Sequence, residues 1–372
     1  MALNQVGLER LGTSVTDKIG ERKNLIINGA MKVAQRGNIS SVQNDYGGAD
    51  RFSFRSSGAV VVTLRQQGVG NSPTDQGFGF CQQIDVTTAD SSLANNDFAR
   101  LQYRFEGQDL QLLKKGTSNA QQVTLSFFVK SPKTGTHIVE LVDRTNNRAV
   151  SLSYTVSSAN TYEKKTLTFP ADTTGTLAND NARAMDLNWY LSAGSNLTSG
   201  SLQTTWGSTT SANRAVGQVN CVDNTDNNFF ITGVQLELGT VATDFEHRLF
   251  PEDLALCQRY CCKWDTAGAT TNNHSRFPTG YNQNTSSAMM FLYHPVPMRV
   301  TDGRTITHNI GVVEILTPGN NTSSLTLSGD ASSNMITAVS LNSIGSVTQH
   351  ALCAPRIGAG QTDWYIIIAC EL

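Results

Sequence analysis

At 372 residues with a net charge of −2, the chain has no basic run that could track a phosphate backbone, which argues against nucleic-acid recognition. Hydrophobic residues make up 39% and charged residues only 16%, with Ser, Thr, Asn, Gln and Gly filling the difference. A surface of short polar side chains suits all-β extracellular proteins better than helical cytosolic enzymes, and the length allows two or three domains with buried cores.

Residues 1–20 carry Leu8, Leu11, Val15 and Ile19 on one stripe of a short helix, weakened by Gly7 and Gly12. Four turns are marginal alone, so this segment is expected to pack against its own domain, a sister chain or a partner. It lacks the basic start and apolar core of a secretion signal, and nowhere does an apolar run reach the roughly 18 residues that span a membrane.

From Asn24 to Arg248 the pattern predicts one β-sandwich. Expected strands include Leu25–Ile27, Arg51–Phe54, Val60–Gln66, Phe78–Val86, Ala99–Glu106, Gln122–Lys130, His137–Asp143, Ser151–Val156, Tyr162–Phe169, Met185–Leu191 and Phe229–Leu238. The clearest alternation is Val123, Leu125, Phe127 and Val129, with Thr124 and Ser126 opposite. In the last strand, Phe230, Thr232, Val234, Leu236 and Leu238 are read on one face, with Ile231 on the other. Turn clusters such as Ser131-Pro132-Lys133-Thr134-Gly135 separate the strands, as in a sandwich or jelly roll. Residues 192–226, rich in Ser, Thr, Asn and Gly, are read as a long surface loop.

Phe250-Pro251-Glu252-Asp253 opens a helix, with Pro251 at its first position and Arg259 and Lys263 at its far end. Leu254, Cys257 and Cys261 then share one face. Residues 264–372 return to β, with strands at Ala288–Tyr293, Thr305–Asn309, Val312–Leu316, Ser324–Leu327, Met335–Leu341 and Trp364–Ala369. The terminal WYIIIA is apolar enough to require burial in a sheet or at a subunit interface. Seven cysteines are scattered without scaffold spacing, and Cys81 and Cys370, in apolar strand-like runs, are expected as buried free thiols.

Two phrases, Asn24–Arg36 (NLIINGAMKVAQR) and Phe229–Arg248 (FFITGVQLELGTVATDFEHR), resemble a family of tailed-bacteriophage virion proteins, especially fibre-like proteins of marine phages. Ala49-Asp50-Arg51-Phe52, Thr124–Lys130, Lys165–Pro170 and Leu254–Tyr260 follow in family order, covering residues 3 to about 262. FLYHPVPMR at 291–299 is similar to a phrase in the distal parts of such fibres. The opening NLIING and closing FFITGVQLELG also resemble jelly-roll carbohydrate-binding modules. Those place a structural calcium near both strands, but the matching positions here, Ala30-Met31-Lys32 and Thr232-Gly233, hold no carboxylate.

Nucleotide, nucleophile-elbow and metalloprotease motifs are absent from the sequence. Cys257, Cys261, Cys262 and His274 lack zinc spacing and read as core or interface groups. Asp50, Asp85, Glu106, Glu140 and Asp143 could serve a glycosidase only if two faced each other at roughly 5–9.5 Å, and nothing pairs them. Asp244–Arg248 reads as a structural turn anchored by Phe245, with Glu246, His247 and Arg248 making local charged hydrogen bonds. Exposed aromatics are the better candidates, because sugars stack on rings. Trp189 and Tyr190 are adjacent on a strand, so at most one is expected to be buried, with Trp189 the core residue. Trp206 lies in the long loop, and Trp264, Phe277 and Tyr281 lie in a polar C-terminal segment.

The expected architecture is all-β: a segment at 1–23 for anchoring or oligomerisation, a jelly-roll β-sandwich at 24–249 as shaft or body, a linker helix at 250–263 and a second, β-sandwich-like domain at 264–372 as the distal tip. The resemblance implies a virion protein assembled in the bacterial cytoplasm, a homotrimeric fibre joined to portal, adaptor, capsid or tail proteins and attaching to a bacterial surface glycan or receptor. Leu8, Leu11, Val15 and Ile19 are the candidate attachment residues; Trp206, Trp264 and Tyr281 are the candidate glycan-binding residues. No catalysis, cofactor, metal, nucleic acid or membrane insertion is expected. The alternative is a capsid or tail decoration or adaptor protein that binds other virion proteins without touching a host.

Overall fold

The computed structural model describes residues 23–265, 280–310, 313–315, 321–322, 324–345, 349, 351–353, 355–357 and 364–372. The expected helical stripe Leu8, Leu11, Val15 and Ile19 lies outside them, as do His274 and Phe277. Two compact units divide the chain. The first takes residues up to Lys32, Ile39–Asp45 and Phe52–Arg248; the second takes Val33–Asn38, Tyr46–Arg51 and the chain from Leu249 onward.

Among the described residues, thirteen strands build the first unit. They are β1 (Ile39–Val42), β2 (Asn44–Tyr46), β3 (Phe52–Ser57), β4 (Val61–Gln67), β5 (Cys81–Thr88), β6 (Phe98–Glu106) and β7 (Val123–Lys130). Next come β8 (Gly135–Asp143), β9 (Arg148–Val156), β10 (Glu163–Phe169), β11 (Arg183–Ala193), β12 (Gly207–Ser208) and β13 (Asn228–Leu238). A six-stranded sheet has the order β1-β4-β5-β13-β7-β10 and a seven-stranded sheet the order β12-β9-β8-β11-β6-β3-β2. From β5 onward the chain crosses repeatedly from one sheet to the other, which makes the unit a jelly-roll sandwich.

Alternation drives this arrangement. Val123, Leu125, Phe127 and Val129 of β7 are buried, as are Leu101, Tyr103 and Phe105 of β6 and Leu187 and Trp189 of β11. Phe127 stands edge-on to Trp189 at 5.9 Å between ring centroids, and Phe52 lies 6.3 Å from the same indole.

The strand at Phe229–Leu238 forms, but its faces differ from the expected alternation. The pairing of β13 with β7 slips between Thr232 and Gln235, a bulge at Gly233, whose φ is +61°. Ile231 therefore pairs with Val129, and Val234 and Leu236 are buried, while Phe230 pairs with Lys130. Only glycine fits, since a Cβ at Gly233 would lie 2.6 Å from a ring carbon of Phe78.

The expected strand Leu25–Ile27 does not form. Instead this segment brackets the bulge with single backbone bonds, Leu25 N–H to Leu236 O and Val234 N–H to Gly29 O, both 2.9 Å. The Asn24 carboxamide supplies what a ladder would have, donating to Val234 O and accepting from the N–H groups of Ile26 and Leu236. Arg248 donates to the carbonyls of Asn24 and Ile26, and Glu246 accepts from the N–H groups of Lys23 and Asn24. The DFEHR turn is thus a structural staple, with Phe245 edge-on to Phe78 at 4.9 Å.

Of residues 192–226, expected as a long surface loop, Ser192 and Ala193 close β11, and the rest are built more firmly than a loop. They hold helix α1 (Ser195–Thr198), a 3-10 turn at Ser211–Asn213, and β12, which extends the seven-stranded sheet at its edge.

The second unit opens with helix α2 (Phe250–Gln258), N-capped by Leu249, so Pro251 sits one place later than expected. The helix stops before Lys263, because Cys261–Asp265 is strand β14 and Cys261 leaves the helical face. Further strands are β15 (Gly280–Asn282), β16 (Ala288–Tyr293), β17 (Thr305–His308), β18 (Val313–Ile315), β19 (Asn321–Thr322) and β20 (Ser324–Ser333). The chain closes with β21 (Ile336–Asn342), β22 (Leu352–Cys353), β23 (Pro355–Ile357) and β24 (Tyr365–Ala369). They form sheets β14-β24-β17, β20-β21-β16-β15-β22 and β19-β18-β23.

Met290 and Leu292 of β16, Val339 and Leu341 of β21 and Ile366 and Ile368 of β24 share one core, the sandwich-like packing expected here. The terminal WYIIIA run becomes the central strand of its sheet. The loops at 33–38 and 46–51 join this unit, where Arg51 lies 3.3 Å from the centroid of the Tyr260 ring and pairs with Glu371 at 2.6 Å. Among the described residues no helix is long and apolar enough to cross a membrane.

Candidate functional site

One face of the seven-stranded sheet packs into the sandwich, and the opposite face carries a polar row set by register. Ser53, Gln102, Asn188 and Glu140 stand side by side across β3, β6, β11 and β8. All four are buried, so their polar groups must be satisfied within the protein. Arg214 donates to both oxygens of Glu140, and Asn188 Nδ2 and the Tyr190 hydroxyl donate to Glu140 Oε2 at 3.0 and 3.2 Å. Gln102 Nε2 donates to Asn188 Oδ1 at 2.8 Å, and Gln102 Oε1 accepts from Arg104 Nε at 2.7 Å. Arg183 holds Asp186 on the same face.

Burial, and then the Glu140 charge, push the Tyr190 hydroxyl up to about 12, so it remains a donor at neutral pH. Burial alone would lower the Arg214 value, but the carboxylate of Glu140 and its hydrogen bonds more than offset that and raise it. This network is rigid and charge-balanced at Glu140.

Segment 194–215 folds against this face and leaves a cleft of about 450 Å³ beside it. Asn96, Phe98 and Arg100 form one wall, at the start of β6; Asn196 and Ser199 of the α1 region and Arg214 form the other. Backbone bonds set both walls: Gly194 N–H to Asp97 O, Asn196 N–H to Asn95 O, Gly200 N–H to Ala212 O and Ala215 N–H to Leu197 O. Side chains reinforce them, with Asn196 Nδ2 donating to Asn96 Oδ1 at 2.6 Å. Gly194 is required at this seam, since a Cβ there would lie 2.2 Å from Ala94 O. Leu197, Leu202 and Ala215 seal the inner side against Ile138 and Tyr190. The cleft thus offers hydroxyl, carboxamide and guanidinium groups beside the apolar Phe98 and Leu197.

The residues singled out from sequence are dispersed. Trp189 and Tyr190 are both fully buried, where at most one was expected: Trp189 fills the core, and segment 194–215 covers Tyr190 on the other face. Trp206 is half-buried; its Nε1 donates to Pro170 O at 2.8 Å, and the Lys115 ammonium lies 5.3 Å from its ring centroid. Trp264 lies on β14 rather than in a polar segment and packs on the second unit's core, edge-on to His294 at 5.3 Å. Tyr281 is half-buried on β15, stacked with Phe291 at 6.3 Å. Trp206 thus belongs to the first unit, and Trp264 and Tyr281 to the second.

Each candidate carboxylate has a partner within the protein. Asp85 pairs with Arg65 at 3.1 Å, Glu106 accepts from Gln108, and Asp143 pairs with Lys115 at 2.5 Å. Asp50 is buried in the second unit, accepting from Gln35. Cys81, Cys221, Cys257, Cys261, Cys262 and Cys370 are buried free thiols. Among the described residues no group of His, Cys, Asp and Glu is arranged to hold a metal ion.

Sequence reading passed over Asn96, Phe98, Arg100, Asn196 and Arg214. The usable signal was the second face of two strands: Phe98, Arg100, Gln102 and Arg104 alternate with core residues in β6, as do Asp186, Asn188 and Tyr190 in β11.

No protein-family model matches the chain, and no curated protein does. Its neighbours among solved structures include a phage tailspike domain and carbohydrate-binding modules, all at low identity. The enzymatically active domain of tailspike protein 4 of bacteriophage CBA120 is 16% identical over 58% of this chain and 21% of its own length, with a TM-score of 0.32. The chain thus spans about a fifth of that domain. The family 11 carbohydrate-binding module of a cellulosomal cellulase of Clostridium thermocellum is 12% identical over 56% of this chain and 97% of the module, with a TM-score of 0.29. TmCBM61, solved with β-1,4-galactotriose, is 9% identical over 59% of this chain and 100% of the module, also at 0.29.

Proposed function

We propose that this chain is a glycan-binding component of a tailed-phage particle, a homotrimeric fibre, and that the glycan is held in the cleft between β6, α1 and the Ser211–Asn213 turn. The cleft itself carries this reading. It is preformed by backbone bonds, has a volume suited to a few sugar rings, and places carboxamides, hydroxyls and arginines beside an apolar patch. Sugars need that combination, polar partners for their hydroxyls and an apolar surface for their C–H faces. The virion setting is supported by the phrases NLIINGAMKVAQR and FFITGVQLELGTVATDFEHR. Adhesion suits the site better than catalysis, because the lining holds no carboxylate and Glu140 behind it is held in place by Arg214, Asn188 and Tyr190. Weak single contacts would be multiplied by three chains in each fibre.

The test is retention of the purified full chain on an array of bacterial surface oligosaccharides, beside a Ser199→Trp variant whose new side chain fills the cleft. Retention by the native chain and its loss in the variant, with an unchanged unfolding midpoint, is the expected result. Equal retention by both would move binding elsewhere on the chain. Retention by neither, with antibody labelling of phage particles, would favour the decoration or adaptor role.

A further inference from the structure

We propose that the cleft selects acidic sugars, those bearing a carboxylate or a sulfate, through Arg100; this rests on the reading of the cleft as a glycan site. Its lining includes two arginines, Arg100 and Arg214, and no carboxylate. The two differ in how their charge is met. Arg214 is neutralised by Glu140 through two bonds of 2.6 and 2.8 Å. Arg100 has no carboxylate partner among the described residues: its side chain meets the neutral Tyr190 hydroxyl, and its Nε is buried without an acceptor. Its guanidinium packs 4.7 Å from the Phe98 ring centroid and 5.9 Å from that of Tyr190, which fixes its position in the wall.

The surroundings reinforce the sign. Arg55 stands directly opposite Arg100 across β3 and β6, a like-charge pair on one face. Arg55, Arg100, Arg104, Arg183 and Arg214 outnumber Glu106, Glu140 and Asp186 along this side of the sheet. Asp97 is near the wall, but its carboxylate accepts from Ala94 N–H at 2.8 Å. A cleft walled by one sign of charge attracts the opposite sign, and a planar guanidinium matches a carboxylate or sulfate with paired hydrogen bonds.

The experiment uses the full chain and matched oligosaccharides: hyaluronan, oligogalacturonate and polysialate, each beside its carboxyl-reduced neutral form, and chondroitin sulfate beside desulfated chondroitin. The expected result is binding to at least one acidic member, weakened tenfold or more in its neutral counterpart and weakened again by added NaCl. Arg100→Gln should weaken acidic binding at least tenfold with its unfolding midpoint unchanged, and Arg100→Lys should recover part of it. The carboxylated and sulfated arms tell the two anion sources apart. Neutral and acidic members bound alike, indifferent to Arg100→Gln, would overturn the acidic assignment and leave the glycan cleft intact. Binding to no member would overturn both.

Discussion

Arg214 donates from Nε and Nη2 to the two oxygens of Glu140, and Glu140 is fully shielded from solvent at 0% exposure. One residue comes from the segment that walls the cleft, the other from the middle of a sheet, so this pair fastens the cleft to the sandwich. Arg214→Met should destabilise the first unit by about 3–5 kcal/mol, the usual cost of leaving a buried carboxylate without its partner. Adding Glu140→Gln should recover a large part of that loss. Denaturant unfolding followed through Trp189 fluorescence reads both, and a single variant within about 0.5 kcal/mol of native would refute a structural role for the pair.

Trp206 and Lys115 form a second closed arrangement. The Lys115 ammonium pairs with Asp143 at 2.5 Å and Asp172 at 2.9 Å and donates to the carbonyls of Thr174 and Gly175, under the Trp206 ring. Trp206→Phe should lose the bond to Pro170 and part of the cation–π contact, about 1–2 kcal/mol, while glycan retention stays at the native level. A fall in retention with an intact melting curve would restore Trp206 as a binding residue. Lys115→Met should cost more, about 3–5 kcal/mol, because it leaves Asp143 buried without its cation, while Asp172 keeps Arg148.

Gly233→Ala tests the bulge in β13. Alanine would have to hold φ near +61° and place its Cβ against Phe78, 2.6 Å from a ring carbon. The left-handed conformation costs roughly 1–2 kcal/mol, and the contact adds to it. A melting temperature lower by several degrees is expected; an unchanged one would mean the strand re-registers without a bulge.

Stability should fall as pH drops below 7. Burial holds His137 below its ordinary value despite the bond to Lys133 O, and burial likewise lowers His247 and His308 and takes His294 down to about 4. Below the ordinary histidine value near 6.5, the unfolded chain takes up protons that the folded chain refuses, so folding loses free energy as pH falls. Asp172 and Glu246 act the same way at lower pH: burial raises both, but bonds from Arg148 and Lys115, and from Asn24 and Arg248, hold both below the carboxylate range. The urea midpoint should decline steadily from pH 7.5 to 5, and His137→Gln should flatten that slope by about one proton. A slope unchanged in the variant would mean His137 is protonated in the folded protein.

The alternation in β7 determined by itself that this chain folds as a sandwich, because a strand with Leu125 and Phe127 on one face must bury that face. The DFEHR staple and the buried thiols were legible for similar reasons: their chemistry is local or purely apolar. The bulge at Gly233 was not, since a slip of register depends on which strand lies alongside. The end of α2 was missed for the same reason, since Cys261–Asp265 becomes a strand by pairing with β24. The cleft belongs wholly to the tertiary structure. Asn96, Arg100, Asn196 and Arg214 are dispersed over more than a hundred residues, and each alone reads as an ordinary polar surface group. Sequence order fixes which face of a strand a side chain takes, but only packing decides what covers that face. Here segment 194–215 folds back over the sheet, covers Tyr190, pairs Arg214 with Glu140, and leaves Arg100 in the cleft with no carboxylate partner among the described residues.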